Sequence, residues 1–182
     1  MKIRSIFYLS LILFLSIDCS DTRSAKQESA EETSTVQDIT PKTIEDFRYN
    51  DYVLSAESDD AVSIWGEFIE LSTQINYLKK ADLTFFKQEE ETLKAFLKEF
   101  KENIPESLNT NPIKARILVL ETRLLKLHND LTLDNISKEE QLKSLKNLLE
   151  AKSNLNFVIN KKLEFEATDV GRPEPEVQLD SL

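Results

Sequence analysis

Residues 111–132 read NPIKARILVLETRLLKLHNDLT, and their spacing decides the fold class. Asn111 is a helix cap, and Pro112 stands at the first helical position, where its missing N–H is not needed. Ile113, Ile117, Leu120, Leu124, Leu127 and Leu131 then recur at intervals of four and three. That is the apolar stripe of an amphipathic helix.

Three further stretches carry the same period. Upstream, a helix is predicted from Ser58 to about Leu78, with Val62, Trp65, Ile69, Ser72 and Ile75 on one stripe. A second follows Asp82 or Thr84, carries Phe86, Leu93, Leu97, Phe100 and Ile104, and is closed by Pro105. Downstream, Ser137-Lys138-Glu139-Glu140 is a capping box opening a helix that runs through Leu142, Leu145, Leu149, Leu155 and Ile159 towards Leu163. Short connections favour antiparallel neighbours, so the expected fold is all-α, an antiparallel four-helix bundle over residues 42–167. Thr40-Pro41 followed by Ile44, Phe47, Tyr49 and Tyr52 adds a short N-terminal helix or packed arm that covers one end. The sustained stripes also permit a helical homodimer, although they are wider than a strict coiled-coil seam.

Composition agrees. The chain of 182 residues has only two glycines, Gly66 and Gly171, too few for the turns of a sandwich, barrel or doubly wound sheet. Twenty-three basic against 33 acidic side chains leave a net charge of −10, which repels nucleic acid. Residues 20–41 and 168–182 are polar and aperiodic and are expected to be a disordered tether and tail.

The N-terminus carries an address. Lys2 and Arg4 precede a twelve-residue apolar run, Ile6–Ile17, about 18 Å long as a helix and too short to span a bilayer. The sole cysteine, Cys19, follows, and then Ser20. This leader resembles a bacterial lipoprotein signal peptide, departing from the family pattern at Ser16 and Asp18. The resemblance covers residues 1–19. It implies cleavage after residue 18, lipid on the Cys19 thiol, and a tether running from 19 to 41. With Ser20 after the cysteine, it also implies outer-membrane placement under the enteric sorting rule.

The chemical inventory is thin. One histidine and one cysteine exclude His- or Cys-rich metal sites and the usual nucleophile–base pairs, so neither catalysis nor a metal or cofactor is expected. Two constellations stand out. Trp65, Gly66, Phe68 and Phe100 form either a core aromatic group with glycine making room, or a ligand slot floored by Gly66. Glu90 occupies a stripe position of the second helix, opposite Lys126 and His128 in an antiparallel pair, and suggests a polar layer. The lysines of the last helix, Lys152 among them, alternate with acids and are expected to face solvent. Leu118, Val119, Leu125 and Leu133 lie beside or off the stripe of residues 111–132 and are candidates for an exposed patch. The expected role is a membrane-tethered interaction or structural module with an envelope protein as partner. The alternative is a small-molecule-binding bundle with an apolar interhelical pocket.

Overall fold

In a computed structural model, which describes residues 38–169, six α-helices follow one another. They are α1 (Pro41–Glu45), α2 (Ala56–Val62), α3 (Gly66–Lys79), α4 (Glu90–Glu102), α5 (Asn111–Thr132) and α6 (Lys138–Asp169). Single 3-10 turns at Phe85–Lys87 and Glu106–Leu108 precede α4 and α5, and no strand occurs among the described residues. The leader, Cys19 and nearly all of the tether lie outside the described residues.

Helix α5 is the axis of the fold. Ile113, Ile117, Leu120, Leu124 and Leu127 are buried as their spacing predicts, with Thr110 rather than Asn111 in the cap position. Towards its end the buried face shifts. Leu131 is only half-buried, whereas His128 and Asp130 are buried. The Asp130 carboxylate accepts from Ser144 Oγ of α6 and pairs with Lys126 Nζ at 2.8 Å, so a polar contact replaces the last apolar one.

The five-residue connection 133–137 folds α6 back along α5, and this pair shares the most extensive contact. Ser137 caps α6 by accepting from the Glu140 amide at 3.2 Å. The helix has 32 residues and so extends about 48 Å. It runs through Asp169, past the expected start of the tail, and Thr168 Oγ1 donates to Phe165 O at 2.9 Å inside its last turn.

Helix α4 packs on α5, α3 on α4, α2 on α6 and α1 on α3, around one continuous apolar core. Lys101 at the end of α4 pairs with Glu121 midway along α5 at 2.7 Å, while Phe86, ahead of α4, meets His128 late in α5. Those two contacts run α4 and α5 in opposite directions.

Two expected helices differ from what forms. The stretch 58–78 is two helices, α2 and α3, because the chain turns at Ser63–Trp65, leaving Ile64 exposed and burying Trp65 completely. Helix α3 stops where Ala81 takes a left-handed conformation (φ 64°) and the Asp82 and Ala81 amides donate back to Tyr77 O and Leu78 O. Glycine usually occupies that place, so a non-glycine there stores about 1 kcal/mol of strain. The second expected helix begins only at Glu90. Phe86 belongs to the preceding 3-10 turn.

Candidate functional site: a cleft over Lys152

Between α1 and α2 the chain runs as an arm, residues 46–55, laid along α6. Helix α6 offers it Ser153, Asn156 and Asn160, spaced three and four apart and therefore on one face. Ser153 Oγ accepts from the Tyr52 amide at 2.7 Å and donates to Asn50 O. Asn156 Nδ2 donates to Tyr52 O at 2.8 Å, and Asn160 donates to Val53 O at 2.8 Å while accepting from the Ser55 amide at 3.0 Å. The Tyr52 ring packs on Phe157, centroids 4.7 Å apart. An extended segment has no ladder of its own, so these side chains satisfy its backbone.

Asn160→Ala removes two of these bonds and is expected to cost about 1–2 kcal/mol. Hydrogen exchange should show the Ser55 amide losing protection while α5 amides keep theirs. Unchanged protection at Ser55 would mean that other contacts hold the arm.

The arm stands off α3 far enough to leave an open cleft of about 480 Å³, bounded by the arm, α2, α3 and α6. That volume is in the range of small-molecule sites. Leu54, Val62, Ile69 and Leu149 supply apolar wall, and Asp51 pairs with Lys79 across the cleft at 2.6 Å. Burial raises the Tyr49 phenol, with Lys79 opposing and Asp51 adding. Burial works against the Lys79 ammonium, but its bond to Asp51 and the nearby Tyr49 hold it above the ordinary lysine value.

Lys152 of α6 lines the same cleft and is only 6% exposed. Its Nζ donates to Asn156 Oδ1 at 2.7 Å and lies 4.1 Å over the Phe68 ring. No carboxylate pairs with it among the described residues. Burial is the main influence on its amine, Asp51 opposes it and Lys79 adds to it, and the result is a pKa lowered from 10.5 to about 7. A lysine in this state is partly neutral at physiological pH, which makes it both a poor surface charge and a competent nucleophile.

This corrects the expectation of a solvated Lys152. The signal was present: Leu145, Leu149, Lys152, Asn156 and Ile159 stand four, three, four and three apart, so a lysine and an asparagine occupy consecutive positions of a buried stripe.

Trp65, Phe68 and Phe100 do come together, with Trp65 4.5 Å from Phe100 and 5.2 Å from Phe68 between centroids. They fill the space themselves, being at most 2% exposed, and only Phe68 reaches the cleft. Gly66 floors no slot and makes no close approach. It is the first residue of α3, and a Cβ there would meet nothing within 4 Å.

Glu90 and His128 do not bond to each other. Glu90 is exposed at the start of α4 and pairs with Lys94 at 3.0 Å. That hydrogen bond, then the Lys94 charge, lower its carboxyl, and His128 adds the least. His128 Nδ1 instead meets Phe86 O at 3.1 Å. Asp130–Ser144 is a second buried polar contact on this side.

Among the described residues no cluster of histidine, cysteine or carboxylate side chains could hold a metal ion, and no helix is long and apolar enough to cross a membrane. No protein-family model matches the chain, and no curated protein or solved structure is significantly similar to it.

Proposed function

We propose that this chain is a lipid-anchored bacterial envelope protein whose helical domain binds a small molecule in the cleft over Lys152. The observation that carries the reading is a buried lysine, without a carboxylate partner among the described residues, lining a 480 Å³ cleft whose walls are part apolar and part polar. Burying such a charge costs stability, and that cost concentrates at sites with a task. The leader, with Cys19 directly behind its apolar run, supports the anchor, and Ser20 supports outer-membrane placement. We read α3, α4, α5 and α6 as an antiparallel four-helix bundle, with the arm and the two short helices forming the cleft over one side. No catalytic turnover is part of this reading.

Ile69 is 46% exposed at the cleft, so Ile69→Trp narrows it without opening the core. Ligand-detected NMR on the full chain in micelles should show benzyl alcohol or cyclohexanol binding, with signals at least roughly halved in Ile69→Trp, as expected of a pocket of this volume. Equal signals in both proteins, or none in either, would refute the ligand site. Metabolic incorporation of an alkyne fatty acid, abolished by Cys19→Ser, checks the anchor.

An interaction module is the second reading, favoured by Leu118 and Val119, which remain 56% and 41% exposed on α5. Leu133 is exposed as well, whereas Leu125 packs against the core. An envelope protein partner would dock on that α5 face.

A further inference from the structure

The ligand chemistry follows from what Lys152 offers. Its nitrogen is held at one point by Asn156 and floored by the Phe68 ring, so it is positioned rather than free to sweep through solvent. Among the described residues one of its three donors is used, and no carboxylate pairs with it. The other charged and titratable groups around the cleft are Tyr49, Asp51 and Tyr52 from the arm, Asp59 from α2 and Lys79 from α3. Lys79 and Asp51 are occupied with each other. The two acids and two lysines leave the cleft with no strong excess of either sign, which does not favour a simple anion. A desolvated lysine near a second cation is instead the arrangement in which an amine stays neutral and attacks carbonyl carbon.

We propose that the cleft captures a small aldehyde or ketone, with an apolar body, as a reversible imine on Lys152 Nζ. The nitrogen lone pair bonds to the carbonyl carbon, and the carbonyl oxygen receives a proton from the nitrogen. The resulting carbinolamine expels that oxygen as water, using the second nitrogen proton, and the C=N bond forms. Nothing is oxidised or reduced, and water reverses the step. The apolar walls at Leu54, Val62 and Ile69 take the body of the ligand, and the Phe68 face below the nitrogen suits the cationic iminium form. The inference rests on the cleft being a ligand site.

The test uses the full chain, benzaldehyde as probe, and sodium cyanoborohydride to reduce any imine to a stable amine that peptide mass spectrometry can locate. At pH 6.5 Lys152 should be modified about tenfold faster, or more, than the exposed Lys98 and Lys138, because its own amine is partly neutral at that pH. That advantage should shrink towards pH 9, where the Lys152 amine has no further proton to lose. Lys152→Arg keeps a cation and should abolish the fast site. Ile69→Trp retains Lys152 and should suppress its modification while leaving Lys98 and Lys138 unchanged.

Modification of Lys152 no faster than Lys98 and Lys138 at every pH overturns the imine. Fast modification indifferent to Ile69→Trp overturns capture through the cleft. If benzyl alcohol still binds in the Ile69-dependent manner while Lys152 stays unmodified, the imine alone falls and the ligand site stands.

Discussion

Lys152→Met should stabilise the protein at pH 7 by about 2–4 kcal/mol, read from denaturant unfolding of wild type and variant side by side. The amine moves from 10.5 to about 7 on folding, mainly through burial. A shift of that size corresponds to an upper limit of roughly 4–5 kcal/mol, since each unit is worth about 1.36 kcal/mol. Methionine has similar length and no charge, and it loses the contacts with Asn156 and the Phe68 ring, which offsets about 1–2 kcal/mol.

The sign with pH is fixed by which state holds the extra proton. Below pH 7 both states carry it and the full penalty applies. Between about 7 and 10.5 the unfolded chain keeps the proton that the folded chain has released, so stability rises with pH through this term. The advantage of Lys152→Met should therefore be greatest at and below pH 7 and largely vanish by pH 10.5. Because the whole acidic chain also responds to pH, the difference between the two proteins is the quantity to follow. A constant difference from pH 6 to pH 10 would show that Lys152 does not titrate in the folded state. A variant more stable than wild type yet unreactive towards benzaldehyde is the signature expected of a functional site that folding alone would not retain.

How far the sequence discloses such a site can be judged residue by residue. The stripe of residues 111–132 is legible because burial there is continuous and aliphatic, and Ile113 to Leu127 are buried as spaced. The turn at Ser63–Trp65 is hidden because Val62, Trp65 and Ile69 keep helical intervals across it, and a period alone does not register a break shorter than one turn. A packed arm is anticipated from Phe47, Tyr49 and Tyr52, but the side chains that hold it are hidden for a different reason. Its order comes from Ser153, Asn156 and Asn160, which bind backbone a hundred residues away, and polar residues on a helix face carry no such address. Glu90 shows the opposite error. Its place in an apolar stripe signals burial only if the helix begins at Asp82 or Thr84. With the helix starting at Glu90, the same carboxylate is first-turn surface charge. Lys152 and Asn156 were readable in principle, since two polar residues in succession on an otherwise leucine-rich stripe are expensive unless they face something.

Trp65→Ala should cost about 3–5 kcal/mol, and Trp65→Phe only about 1–2 kcal/mol. The alanine variant loses a completely buried indole that touches both Phe68 and Phe100, leaving a cavity where α3 meets α4. The phenylalanine variant keeps most of the packing but loses one bond. Trp65 Nε1 donates to Phe100 O at 3.1 Å, and Phe100 lies in the last turn of α4, where carbonyls lack intrahelical partners. The indole thus caps a neighbouring helix from within the core, which ties the turn after α2 to the end of α4. Because Phe68 forms both one wall of this cluster and the floor under Lys152, Trp65→Ala should also slow benzaldehyde modification of Lys152 in protein that circular dichroism shows to be folded. Trp65→Phe should leave that modification near wild type. If both variants lost stability equally, the cost would lie in the hydrogen bond and not in packing. If Trp65→Ala left Lys152 fully reactive, the floor would be held from the α6 side alone.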